Sequence, residues 1–150
     1  MNSSKAVEIL LVEDDPQDLE LALRALRKAN LANHIDIARD GVEAVEMLHD
    51  NTLTEEERLA RGPKVVLLDL KLPRLDGLEV IRRMKGDPRT RLIPIVVLTS
   101  SKEHHDIAES YALGVNSYIV KPVNFERFAE AVSHLGMYWL LHNQPPVVGK

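Results

Sequence analysis

Val65-Val66-Leu67-Leu68-Asp69 is the stretch whose reading decides the fold. Four apolar residues with no polar alternate predict a strand covered on both faces, the pattern of a central strand in a parallel sheet. Asp69 ends that run. A carboxylate is costly to bury against a strand, so it must pair with a cation or sit at an exposed rim. The following residues, Leu70 to Gly77, break both helical and strand periodicity and include Pro73 and Gly77, which predicts a loop. Asp69 is therefore expected at the carboxyl end of a central strand, where open α/β sheets bind their ligands.

Working outward, Val7 to Val12 is a second apolar run, and it ends in Glu13-Asp14-Asp15. Pro16 then opens a helix, with Asp15 as its cap and Leu19, Ala22, Leu23 and Leu26 on one face. Ile35 and Ile37 alternate with His34 and Asp36, as in an edge strand wet on one side, and Asp40-Gly41 turns the chain into a helix through Val42, Val45, Met47 and Leu48. Asn51 to Gly62 is a polar surface excursion with room for two helical turns, and Glu55-Glu56-Glu57 within it is a solvated charge run.

Beyond Asp69, a helix is expected from about Leu78 to Lys85, stopped by Gly86-Asp87-Pro88, and a fourth strand from Pro94 to Thr99. Ser101 is expected to cap a helix through Ala108, Tyr111 and Leu113, closed by Gly114. His104 and His105, adjacent on that helix, face different directions and predict solvated side chains rather than a metal site. Ser117 to Val120 is the last strand, ending in Lys121-Pro122, and Asn124 opens a helix from Phe125 to about Leu141. Five βα units predict a doubly wound α/β fold, a parallel five-stranded sheet with helices on both faces and right-handed crossovers.

The composition narrows the function. The 150 residues suit one domain, and a formal charge of −4 offers no basic footprint for nucleic acid or an anionic membrane. The absence of cysteine excludes disulfides and thiolate chemistry. No apolar run reaches the roughly 18 residues of a membrane span, and Met1 to Ala6 is a polar tail, so a cytoplasmic protein is expected.

Four strands finish on a polar group: Glu13 with Asp14, Asp69, Thr99 and Lys121. In a parallel sheet these ends share one rim. Carboxylates about 4 Å apart repel by about 1 to 4 kcal/mol per pair, so positive charge must sit among them. Lys121 is one source, and Mg²⁺ (or Mn²⁺) held by carboxylates, a carbonyl and waters is the natural second. Thr99 and Lys121 then suit phosphoryl oxygens, and Asp69 an in-line nucleophile that becomes an aspartyl phosphate carrying about −1.5 to −2 of added charge.

Glu13-Asp14, Asp69 with Pro73 and Asp76-Gly77, Thr99-Ser100 and Lys121-Pro122, in that order and each after its own strand, resemble the motif set of the two-component response regulator receiver domain. The resemblance implies a flavodoxin-like sheet of strand order 2-1-3-4-5, and that Asp69 accepts a phosphoryl group from a sensor histidine kinase. It also implies that Asp14, Asp69 and the backbone carbonyl of Lys71 hold Mg²⁺, with Glu13 acting through water. Thr99 and Lys121 would bind phosphoryl oxygens, and Tyr118 matches the aromatic that swings inward when Thr99 moves. Lys71 stands at a position that varies in the family and influences hydrolysis of the phosphate.

The implied receiver spans residues 7–135, with 136–150 as a C-terminal extension and no output domain after Lys121. Met137-Tyr138-Trp139-Leu140-Leu141 is apolar on every side of a helix, whereas Phe125, Phe128, Val132 and Leu135 already supply the stripe that meets the sheet. Aromatic side chains bury about 150 to 250 Å² each, so this surplus predicts a homodimer through Tyr138, Trp139, Leu140 and Leu141. The ending, with Pro145-Pro146, is similar to that of response regulators paired with phytochrome-type kinases. An alternative is a Mg²⁺-dependent phosphohydrolase with an aspartyl-phosphate intermediate, although such enzymes usually carry an acid where Lys71 stands. A flavodoxin-like cofactor binder is disfavoured, because acids on the rim repel an anionic ligand.

Overall fold

The strands form where short apolar runs are bounded by turn residues, and the helices where the apolar period lengthens. A computed structural model of the chain describes residues 9–28, 34–49, 52, 54, 56, 57 and 63–121. The elements are β1 (Ile9–Val12), α1 (Pro16–Lys28), β2 (Ile35–Ala38), α2 (Gly41–Leu48), β3 (Val65–Leu68), α3 (Gly77–Lys85), β4 (Ile95–Thr99), α4 (His104–Leu113) and β5 (Ser117–Val120). All strand pairs are parallel, in the order β2-β1-β3-β4-β5. That is the expected order, with the Asp69 strand in the centre and β2 at an edge.

Successive strand residues point to opposite faces, and the core divides accordingly. Ile9, Leu11, Val65, Leu67, Val96 and Leu98 pack with Leu19, Ala22, Ala25 and Leu26 of α1. Leu10, Val12, Val66, Leu68, Ile95 and Val97 pack on the other face, with Ala44 and Leu48 of α2 and Val80, Ile81 and Met84 of α3. Helices on both faces explain why β1, β3 and β4 are apolar without alternation.

The caps follow local chemistry. Asp15 Oδ1 accepts the backbone N–H groups of Gln17 and Asp18 at the start of α1. Asp40 and Asp76 cap α2 and α3 by accepting from Glu43 and Glu79. Gly114 closes α4 in the left-handed region at φ 101°. Gly77 is required for another reason: a Cβ there would lie 2.5 Å from the carbonyl oxygen of Asp69 and 2.6 Å from Leu70 Cα. The start of α3 thus presses directly on the backbone that carries the acceptor candidate.

One expectation is corrected. Ser101 is not the cap of α4; Glu103 holds the N-cap position without a side-chain cap bond, and Ser101 Oγ instead donates to Asp106. The buried side of α4 is polar, through Asp106 and Ser110, whereas Ala108 and Tyr111 are exposed. An apolar-stripe reading fails on a helix whose buried positions carry a carboxylate bonded to Ser101 and, at Ser110, a hydroxyl without a partner among the described residues. The remainder of the 51–62 excursion beyond Thr52, Thr54, Glu56 and Glu57, and everything after Lys121, including Tyr138, Trp139, Leu140 and Leu141, lie outside the described residues.

Candidate functional site

The strand register builds the site. Val12 pairs with Leu68, so the residues that follow, Glu13 and Asp69, emerge side by side at the carboxyl rim. The ladder continues past the strands, because Asp69 N–H donates to the Val12 carbonyl and Glu13 N–H to the Ala38 carbonyl. Thr99 pairs with Val120, and Lys121 N–H donates to the Thr99 carbonyl at 2.7 Å. Lys121 starts two strands from Asp69, a span of about 10 Å at the usual strand spacing, and its flexible stem brings the ammonium in among the acids.

That ammonium is the hub. Lys121 Nζ lies 2.6 Å from Glu13 Oε1, 2.9 Å from Asp18 Oδ2 and 3.2 Å from Asp69 Oδ2. Burial opposes its charge, but the bond it donates to Glu13, the Asp69 charge and the bond it donates to Asp18 outweigh burial and hold it above its ordinary pKa. Glu13 is pushed up to about 7, because burial and the Asp69 charge outweigh the relief from Lys121 and from the Asp15 backbone N–H. Asp69 Oδ1 accepts the backbone N–H of Lys71 at 3.2 Å, so each oxygen of this carboxylate has a donor.

Glu13, Asp14 and Asp69 each offer a carboxylate oxygen, and these atoms lie within 4.8 Å of one another. Opposite oxygens around an octahedral Mg²⁺ with bonds of about 2.1 Å stand about 4.2 Å apart. An all-oxygen acidic set of this spacing therefore fits a hard divalent cation, with Asp14, the exposed member, open to solvent.

Thr99 is fully buried, and its hydroxyl accepts Ser101 N–H at 3.3 Å. Its own proton stays available to donate. Tyr118 is half-buried, and its hydroxyl donates to the Ser101 carbonyl at 3.0 Å; burial raises its pKa. Asp18 was not singled out from sequence. Its position in the first turn of α1 looks like an ordinary dipole-complementing acid, and only the fold shows that this turn faces Lys121. His104 and His105 are both exposed, as expected.

The model of the response regulator receiver domain family matches residues 9–133. The chain belongs to the response regulator receiver domain family. Among curated proteins, it is 39% identical to the probable methanogenesis regulatory protein FilR2 of Methanothrix harundinacea, over 92% of this chain and 86% of that one. It is 38% identical to response regulator Rcp1 of Synechocystis, over 88% of each chain. The solved Mn²⁺-bound form of Rcp1 superposes with a TM-score of 0.80 over 94% of this chain and 99% of that one. The bacteriophytochrome response regulator AtBRR is 51% identical, with a TM-score of 0.67 over 93% of this chain and 99% of that one. Among the described residues of this receiver domain, no helix is long and apolar enough to cross a membrane.

Proposed function

We propose that this response regulator accepts a phosphoryl group on Asp69 from a phytochrome-type sensor histidine kinase. The observation that carries the reading is the convergence of one ammonium, Lys121, on Glu13, Asp18 and Asp69 beside the exposed carboxylate of Asp14. An Asp69 oxygen attacks phosphorus in line, the P–N bond to the donor histidine breaks, and that nitrogen keeps the electron pair. Lys121 turns from the acids to the phosphoryl oxygens, and Thr99 donates its hydroxyl proton to one of them. Asp14, Asp69 and the Lys71 carbonyl would hold Mg²⁺ or Mn²⁺, with Glu13 acting through water. The ion supplies positive charge that offsets the repulsion between acids and phosphoryl group.

The histidine kinase partner is assigned to the phytochrome class on the 51% identity to AtBRR, since relatives near 38% divide between Rcp1 and a methanogenesis regulator. A readout through Tyr118 is supported by its bond to the loop that follows Thr99. The receiver occupies residues 7–135, and residues 136–150 extend it as a dimer contact. Gel filtration of Trp139→Asp is expected to show a smaller species than wild type; unchanged elution would remove the homodimer. The protein acts as a phosphoacceptor rather than a turnover enzyme. The position two residues after the acceptor, where such phosphohydrolases usually carry an acid, holds Lys71, whose ammonium lies 3.8 Å from Asp106.

Incubation with Mg²⁺ and acetyl phosphate is expected to add one phosphoryl group to the intact mass of wild type and none to Asp69→Asn. Equal gain in both proteins would overturn the assignment of Asp69. Turnover of a generic phosphomonoester, abolished by Asp69→Asn, would favour the phosphohydrolase instead.

A further inference from the structure

Asp106, in the first turn of α4, lies outside the group of acids around Lys121 yet is only 7% exposed. Among the described residues, two side chains reach it. Ser101 Oγ donates to Asp106 Oδ2 at 2.5 Å, and Lys71 Nζ stands 3.8 Å from the same oxygen. Each of these partners is also tied to the acceptor site through its backbone. Lys71 N–H donates to Asp69 Oδ1, and Ser101 N–H donates to Thr99 Oγ1. One arm therefore starts at Asp69 and the other at Thr99, and both end on one buried carboxylate.

A carboxylate this buried is destabilising without a positive partner, and among the described residues Lys71 supplies the cation within ion-pair distance of it. The lysine itself is not locked. Its side chain is 62% exposed and borders a cavity of about 350 Å³ lined with Leu70, Leu72, Asp76, Leu78 and Asp106. The ammonium can leave Asp106 without displacing packed atoms.

We infer that Asp106 is a positioning residue for the acceptor site: it holds the Lys71 ammonium in the resting protein, and a phosphoryl group on Asp69 competes for that ammonium. The inference rests on Asp69 being the phosphoacceptor. The phosphoryl group brings about −1.5 to −2 of charge, more than the single charge of Asp106, so the ammonium transfers. Asp106 is left with Ser101 alone, on the loop that Tyr118 also holds. The first turn of α4 thereby senses the charge state of Asp69 by a route separate from the Thr99 hydroxyl.

The test is a calorimetric titration of the full chain with beryllofluoride in excess Mg²⁺, using this anion as a phosphoryl stand-in. Asp106→Asn keeps an acceptor for Ser101 and removes the competing charge, so it is expected to tighten binding about 2- to 5-fold, the worth of a partly exposed ion pair. In a Lys71→Met background the same substitution is expected to have no effect. Equal tightening in both backgrounds would assign the effect to structure alone and overturn the inference, as would unchanged or weaker binding by Asp106→Asn. Should Asp106→Asn fail to fold, Lys71→Met alone still decides, because loss of the transferred ammonium must weaken binding and an unchanged affinity overturns the inference. Failure of wild type to bind beryllofluoride would instead count against Asp69 as the acceptor.

Discussion

Replacing Lys121 by Met tests the electrostatic logic of the site most directly. The substitution keeps a flexible apolar stem but withdraws the ammonium that contacts Glu13, Asp18 and Asp69. Breaking a buried ion pair by removing one partner costs about 3 to 5 kcal/mol. The cost here falls near the lower end, about 3 kcal/mol, because Glu13 sits at about 7 even beside Lys121 and can take up a proton when the ammonium is gone. For a chain of this size about 3 kcal/mol corresponds to a fall in Tm of roughly 6 to 12 °C. The assay is thermal unfolding with and without Mg²⁺. Mg²⁺ at about 100 times its Kd stabilises the folded state by about 2.7 kcal/mol, so the ion is expected to recover most of the loss.

The pH dependence has a fixed sign. Glu13 is ordinarily near 4.5 and is raised to about 7 in the folded protein, so between those values the folded state holds more protons than the unfolded chain. Its contribution to stability is therefore largest at low pH and falls as pH rises through that window. The gap between wild type and Lys121→Met should accordingly be smaller at pH 6 than at pH 8. A metal-free Lys121→Met protein that melts with wild type at pH 8 would refute the reasoning, since the three acids would then need no counter-charge.

Further outcomes follow from the same geometry. Gly77→Ala places a Cβ against the Asp69 carbonyl and is expected to destabilise the protein by about 1 to 3 kcal/mol in urea unfolding, with slower uptake of the phosphoryl group from acetyl phosphate. Mg²⁺ affinity, followed by calorimetry, is expected to fall from pH 8 to pH 6, because protons compete for Glu13. Tyr118→Phe removes the bond to the Ser101 carbonyl and is expected to cost about 1 kcal/mol in chemical unfolding.

The parallel sheet, the two-sided core and the placement of Asp69, Glu13 and Lys121 on one rim were legible in the chain, and the strand order in its resemblance to the receiver domain. Apolar runs without alternation can exist only between two layers, and βα repeats close parallel strands with one hand. Charged residues at the ends of such runs have to meet, because the register of a parallel sheet brings strand ends together whatever their separation in sequence. Asp18 and Asp106 were decided by tertiary structure alone. Each occupies the first turn of a helix, where an acid is ordinary on any surface, and nothing local distinguishes one turned to solvent from one turned to Lys121 or Ser101. Ser101 shows the same limit: its sequence position allowed a helix cap, and packing gave its hydroxyl to a buried carboxylate instead. Periodicity and strand-end chemistry are properties of neighbours along the chain, whereas the partner of a helix-borne charge depends on how that helix is rotated against the sheet.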